Sequence, residues 1–361
     1  MKLVVDCRYT RIGQHDGISR FTAGIVRELG ARHPLTMLIS DRRQLELLPD
    51  LPWQLATSPT SIREPLVARQ VRKLRPDVVF SPMQTMGSWG RDYALLLTLH
   101  DLIYYEHRTP PHNLPAPVRL LWRLYHLAWW PQRLLLNRAD AVVTVSETTA
   151  GLIREHHLTK RPVTVVPNAA DELPVPPLPR ERPSRNRLVY MGSYMPYKNV
   201  DTLVRAAAML PDHELHLLSR ISTEERARLT RLAPEARLVF HDGVTDAAYA
   251  DLLADATALV HASRAEGFGI PLVEAMRVGT PVVVNDTPIF REIGGDAALY
   301  FDGDDADSLV RALGRLEEPG EWTRRSATSL ERASAYTWAA SAERLLELIR
   351  ETAASRPARR A

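Results

Sequence analysis

Short, continuously apolar, β-branched runs alternate with longer helical patterns along the whole sequence, and the alternation is interrupted once. Before the interruption, residues 2–6, 35–40, 77–81, 94–99, 141–146 and 163–167 read as strands. Helical patterns lie near 18–31, 62–75, 116–136 and 147–156. Strands apolar on both faces, separated by helices, specify a parallel sheet covered on both sides. The interruption is Asp171-Glu-Leu-Pro-Val-Pro-Pro-Leu-Pro-Arg-Glu-Arg-Pro183, with five prolines. Proline fixes φ and removes an amide donor, so this stretch builds neither a helix nor a central strand and reads as a linker. The alternation then restarts. Strands are expected at 187–191, 214–218, 237–241, 258–262, 281–285 and 298–301, and helices near 199–210, 222–233, 246–254, 271–278, 305–316 and 338–353. The expectation is an α/β chain of two doubly wound domains, 1–170 and 188–337, joined by a linker over 171–187. A helix over 338–354 follows, and 355–361 is expected to be a disordered tail. Ligands of such sheets bind beyond the C-terminal strand ends, so two facing sheets would form an interdomain cleft.

The 361 residues suffice for two separate cores. Hydrophobic residues make up 45% and charged residues 25%, as in ordinary globular proteins. Only four lysines occur (Lys2, Lys73, Lys160 and Lys198), so arginine supplies nearly all of the 46 basic residues. The net charge of +3, without a lysine run or interleaved basic and aromatic residues, points away from a nucleic-acid binder. Cys7 is the single cysteine, which excludes an intrachain disulfide framework and a thiolate zinc site and fits a reducing compartment. The run Met1–Asp6 is too short for a signal peptide, and no apolar stretch approaches the roughly 18 residues of a spanning helix. The expected location is cytoplasmic, with peripheral contact at the inner face of a membrane open.

Chemistry concentrates at Glu266-Gly-Phe-Gly-Ile-Pro-Leu-Val-Glu274. An apolar strand runs into Gly267 and Gly269, then Pro271 opens a helix and Gly279 closes it. Free amides and the dipole at such a helix start favour an anion, and glycine lets a diphosphate approach the backbone. Neither glutamate suits a phosphate. Both suit sugar hydroxyls: Glu274 the ribose diol, Glu266 the transferred sugar. The competing reading is a pair of ordinary helix-start and loop acids.

These residues resemble family 4 of the retaining glycosyltransferases, whose fold is GT-B: two Rossmann-like domains facing across a cleft. The resemblance rests on Glu266-x7-Glu274, on Gly279-Thr-Pro-Val-Val-Val, and on three further places. Met191-Gly-Ser-Tyr-Met-Pro-Tyr-Lys-Asn199 places Lys198 where the family pairs a lysine with donor phosphate. Many members carry an arginine where this chain has Ser193, and others carry one where it has Tyr197. Arg220, just past the 214–218 strand, is the candidate for the second cation. Leu99-His-Asp-Leu-Ile103 implies that His100 lies near the transferred sugar, the alternative being a histidine that caps a strand. Asp16-Gly-Ile-Ser-Arg-Phe21 is similar to the family's Gly-Ile-Gly-Arg-Tyr pattern; Gly17 would then allow close approach of donor or acceptor, or simply start a helix. The resemblance implies catalytic roles for His100, Lys198 and Glu266. It implies donor contacts at Gly17, Ser193, Lys198, Arg220, Val244, Gly267, Phe268, Gly269, Leu272 and Glu274. It also implies no metal and no cofactor, a nucleotide-sugar donor (GDP-mannose favoured, UDP-sugars open), a glycan or lipid-linked acceptor, and a last helix crossing back to the first domain. A sugar-nucleotide epimerase, a pyridoxal-phosphate phosphorylase and a non-catalytic nucleotide-sugar binder are the alternatives.

The segment Pro117–Arg138 holds Trp122, Trp129 and Trp130 among leucines and arginines. It reads first as a core helix interrupted by Pro131, and second as a membrane-contact face. His107 and His112 receive no role.

Overall fold

The computed structural model describes residues 1–13, 16–110, 115–175 and 181–355. The chain divides into two compact units, 1–169 with the segment from Thr337, and 170–336.

In the first unit the elements are β1 (Leu3–Asp6), α1 (Gly17–Arg32), β2 (Leu35–Ile39), β3 (Trp53–Leu55), α2 (Val67–Arg72), β4 (Val78–Ser81), β5 (Ala94–Leu99), α3 (Ile103–Glu106), α4 (Ala116–Tyr125), α5 (Trp130–Leu136), β6 (Ala141–Thr144), α6 (Glu147–Glu155) and β7 (Val163–Val165). The sheet is parallel, in the order β3-β2-β1-β4-β5-β6-β7. Every residue of β1, β4, β5 and β6 is buried, which explains their unbroken apolar sequences. The Asp16 carboxylate accepts from the Ser19 amide at 2.8 Å and caps α1.

The second unit contains β8 (Arg187–Tyr190), α7 (Val200–Ala208), β9 (Glu214–Leu217), α8 (Thr223–Leu232), β10 (Leu238–Phe240), α9 (Asp246–Ala254), β11 (Ala258–His261), α10 (Ile270–Arg277), β12 (Val282–Asn285), α11 (Pro288–Gly294), β13 (Leu299–Phe301), α12 (Ala306–Gly314) and α13 (Glu321–Ala333). Its sheet is also parallel, in the order β10-β9-β8-β11-β12-β13. The chain builds outward from β8 to β10 and then resumes at β11 on the other side. The order therefore reverses between β8 and β11, where a doubly wound sheet opens a crevice beyond its strand ends.

The last helix, α14 (Trp338–Ala354), belongs to the first unit. Gly24 of α1 makes room for it: a Cβ there would sit 2.4 Å from the Trp338 ring. Phe21 meets the same ring edge-on at 6.2 Å, and the Ser341 hydroxyl donates to the Pro167 carbonyl at 2.7 Å.

Several expectations are corrected. The helix expected over 116–136 is two helices, α4 and α5, with the break ahead of Pro131, and it is not a core helix: α4 has no buried residue among those described. β3, Trp53-Gln-Leu55, was not expected: it has no continuous apolar run, and all three of its residues are exposed at the sheet edge. α11 and α13 were not expected. α13 is largely polar and buries only Trp322, Arg325, Ser326, Ser329 and Ala333. Residues 171–175 and 181–186 contain neither helix nor strand. Residues 176–180 of the proposed linker, His112 and residues 356–361 of the proposed tail lie outside the described residues. No described helix is long and apolar enough to cross a membrane.

Candidate active site

Lys198 follows β8 and Glu266 follows β11, so neighbouring strands deliver them to the same end of the second sheet. They are joined there: Lys198 Nζ donates to Glu266 Oε1 at 2.5 Å, and both side chains are nearly buried. The sequence reading gave them different partners, phosphate and sugar; without a ligand each is the other's counter-ion. Burial pushes the Glu266 carboxyl up, but the adjacent Lys198 ammonium outweighs it and holds the group below its ordinary value.

A hydrogen-bonded scaffold fixes the two loops. The Arg264 amide donates to the Tyr197 carbonyl at 2.8 Å. Asn199, in the left-handed region at φ 54°, donates to the Gly303 carbonyl at 2.6 Å. The Gly303 amide donates to Asn285 at 2.8 Å, and Asn285 donates to the Ser263 carbonyl at 3.0 Å. This relay runs from the residue after Lys198 to the loop that carries Glu266.

The loop then enters α10. Gly269 is its N-cap at φ 95°, a region closed to most side chains, and Pro271 occupies the second helical position rather than the first. Pro271 has no amide N–H and the Leu272 amide donates to the Gly269 carbonyl at 3.0 Å, so the start of α10 offers an anion the Ile270 amide and the positive end of the helix dipole. Gly267 and Gly269 are buried at that start. Phe268 is buried edge-on against Tyr336 at 5.4 Å, so its ring is committed to packing and its backbone is what can meet a ligand. Leu272 is fully buried in α10. Glu274 is also buried and accepts from the Tyr249 hydroxyl at 2.9 Å, so one carboxylate oxygen is already engaged by α9.

His261 was missed by the sequence reading. It ends β11 with its Nε2 3.7 Å from Glu266 Oε1, and its Nδ1 is buried without a hydrogen-bond partner among the described residues. Burial drives its pKa down to about 4, and Lys198 adds to that while Glu266 opposes it, so the ring is neutral. The available signal was a lone histidine closing an otherwise apolar strand, five residues before Glu266.

The remaining donor candidates are more peripheral. Ser193 is exposed, and its carbonyl accepts from the Tyr190 hydroxyl at 2.6 Å. Arg220 is exposed beyond β9, packed against Gly243, where a Cβ would lie 3.3 Å from its side chain. Val244 is half-buried just ahead of α9. Among the described residues no group of three His, Cys, Asp or Glu side chains is disposed to hold a metal ion.

In the first unit, His100 directly follows β5. Its Nε2 lies 2.8 Å from the Pro82 carbonyl, and Phe21 meets the ring edge-on at 5.1 Å. A carbonyl can only accept, so Nε2 carries the proton. Burial lowers the pKa of the ring, the Pro82 bond only partly opposing it, so His100 is neutral with Nδ1 as its acceptor nitrogen. Gly17 is exposed at the first position of α1. This sheet reverses order between β1 and β4, and ion pairs fill that end: Arg8 binds Asp6 at 2.7 Å and Glu64 at 2.6 Å, and Glu64 accepts from the Gly87 amide at 3.0 Å.

Comparison with known proteins agrees with this geometry. Residues 15–172 match the family described as Glycosyltransferase Family 4, and residues 179–329 match Glycosyl transferases group 1. The chain is 27% identical over 191 residues to the O-antigen chain mannosyltransferase RfbU of Salmonella typhimurium, covering 52% of this chain and 53% of that one. It is 30% identical over 221 residues to the MMP α-(1→4)-mannosyltransferase of Mycolicibacterium hassiacum, covering 57% of this chain and 53% of that one. The chain thus spans about half the length of these curated relatives. The sucrose-phosphate synthase of Thermosynechococcus elongatus superposes with a TM-score of 0.74 at 19% identity, over 98% of this chain and 100% of that one. The fold is GT-B, and the chain belongs to the family 4 glycosyltransferases.

Proposed function

We propose that this chain is a retaining glycosyltransferase that moves a hexose, mannose in preference, from a nucleotide sugar to a glycan or lipid-linked acceptor. The observation that carries the reading is the Lys198–Glu266 pair at 2.5 Å, set on the loops that follow β8 and β11, the second of which opens α10. A nucleotide diphosphate would draw on the Lys198 ammonium, the Ile270 amide and the positive end of the α10 dipole. Glu266, released from Lys198, would accept from hydroxyls of the transferred sugar, and Glu274 from the ribose diol. The names of the two mannosyltransferase relatives support mannose, and with it GDP-mannose as donor; UDP-sugars are the second choice.

In the proposed reaction the bond from the sugar C1 to the diphosphate oxygen breaks, and the electron pair leaves with the diphosphate. The acceptor oxygen bonds to C1 on the same face, and its proton passes to the departing phosphate. Lys198 offsets the charge that grows on the leaving group. His100 presents the Nδ1 lone pair of a neutral imidazole toward the transferred sugar. Arg220 is the proposed second phosphate cation, in place of the arginine absent at Ser193. The proposed compartment is the reducing cytoplasm, supported by the single, free Cys7.

A thermal-shift panel of nucleotide sugars tests this. A donor at about 100 times its Kd stabilises the chain by about 2.7 kcal/mol, and GDP-mannose is expected to give the largest shift. Absence of stabilisation by every nucleotide sugar contradicts the reading.

A further inference from the structure

α4 and α5 invert the usual pattern of a surface helix. Leu120, Leu121 and Leu124 of α4 are 59%, 67% and 54% exposed, and helical spacing puts them on one side. Leu127 in the connection and Trp130 and Leu134 of α5, four positions apart, are exposed as well. The other side of α4 is filled by rings. Trp122 meets Tyr104 edge-on at 5.0 Å, and His126 meets Tyr105 at 5.0 Å. Trp129 stacks between Tyr105 and His156 at 3.9 and 4.1 Å. Aromatic packing therefore holds the helices with their leucines turned outward, and no described residue of the chain covers them.

The charge carried by the segment itself has one sign. From His107 to Ala139 the sequence contains Arg108, Arg119, Arg123, Arg133 and Arg138 and no acidic residue. Arg123, Arg133 and Arg138 are exposed. An apolar stripe on a segment that carries arginines and no acid complements a surface that is apolar within and anionic at its rim. A second copy of the chain does not meet that requirement, because a two-fold contact would set arginine against arginine.

We infer that α4 and α5 dock the chain on an anionic lipid bilayer. Leu120, Leu121, Leu124, Leu127 and Trp130 enter the boundary between headgroups and acyl chains, and the arginines contact the headgroups. Neither helix is long enough to span, so both lie in the plane of the interface. This docking does not depend on the donor-site reading.

Co-sedimentation of the full chain with vesicles tests it. Binding to phosphatidylglycerol–phosphatidylcholine vesicles is expected to exceed binding to phosphatidylcholine alone by about tenfold or more, and to weaken with salt. The double variant Leu121→Gln/Leu124→Gln, with its melting temperature matched to the parent, is expected to lose about tenfold or more in partitioning. The double variant Arg123→Gln/Arg138→Gln is expected to lose the preference for anionic lipid. The proposal is overturned if the parent does not bind anionic vesicles or if the leucine variant partitions like the parent. It is equally overturned if sedimentation without lipid shows a dimer that the leucine variant abolishes.

Discussion

At the scale of single residues, the second unit brings together three titratable side chains, Lys198, Glu266 and His261. Lys198 keeps Glu266 ionised against the pull of burial, while burial keeps His261 neutral beside them. The histidine has a consequence for stability. Its pKa is about 4 in the fold and near 6.5 in the unfolded chain, so below pH 6.5 the unfolded state takes up the proton first. Stability is therefore complete above pH 6.5 and declines as the pH falls towards 4, by up to about 3 kcal/mol for this one group. Urea unfolding at pH 7 and pH 5 measures it, and His261→Gln is expected to flatten the difference; an unchanged pH dependence in that variant would refute the assignment. The sequence singles out Glu266 and Glu274 through the glycines and proline around them, and Lys198 through the family resemblance. The Lys198–Glu266 pairing was not, because the two lie 68 positions apart and meet only through the adjacency of β8 and β11. His261 left one signal, a lone histidine closing an apolar strand, but its meaning, like that of Tyr249, depends on which strand or helix lies next door.

At the scale of elements, the entry into α10 depends on Gly269. Its φ of 95° and the 3.3 Å that would separate a Cβ from Phe290 leave no unstrained place for a side chain. Gly269→Ala is expected to cost about 1–3 kcal/mol in urea unfolding and to reduce the thermal shift given by the best nucleotide sugar, since the helix start must move. A variant with parental stability and a parental shift would contradict the role given to this turn. The central strands were readable because burial on both faces leaves an unbroken apolar run. β3 was not, because an exposed edge strand has no such run. α4 shows a deeper limit. Leucine and tryptophan at helical spacing announce an apolar face, yet the periodicity is the same whether that face turns inward or outward. Only the Tyr104, Tyr105 and His156 rings on the other side decide it.

At the scale of the whole molecule, the chain completes one parallel sheet, builds a second from Ala170 to Tyr336, and returns to the first with α14. Both sheets reverse their strand order at an inner pair, β1/β4 and β8/β11, but the two ends are furnished differently. In the first unit Arg8, Asp6 and Glu64 neutralise one another in the crevice, which suits a scaffold under the loops that hold His100. In the second unit the Lys198–Glu266 ion pair lies on the loop that leads into a helix, which suits an anionic ligand able to exchange with the carboxylate. The central claim is that this second crevice binds a nucleotide sugar, with Lys198 on the diphosphate and Glu274 on the ribose. Isothermal titration of GDP-mannose into the parent, Lys198→Ala and Glu274→Gln tests it most directly. The account predicts that each variant, folded as the parent by its melting curve, binds at least about tenfold more weakly, the loss of about 1.4 kcal/mol from a removed charged contact. Parental affinity in both variants would contradict it.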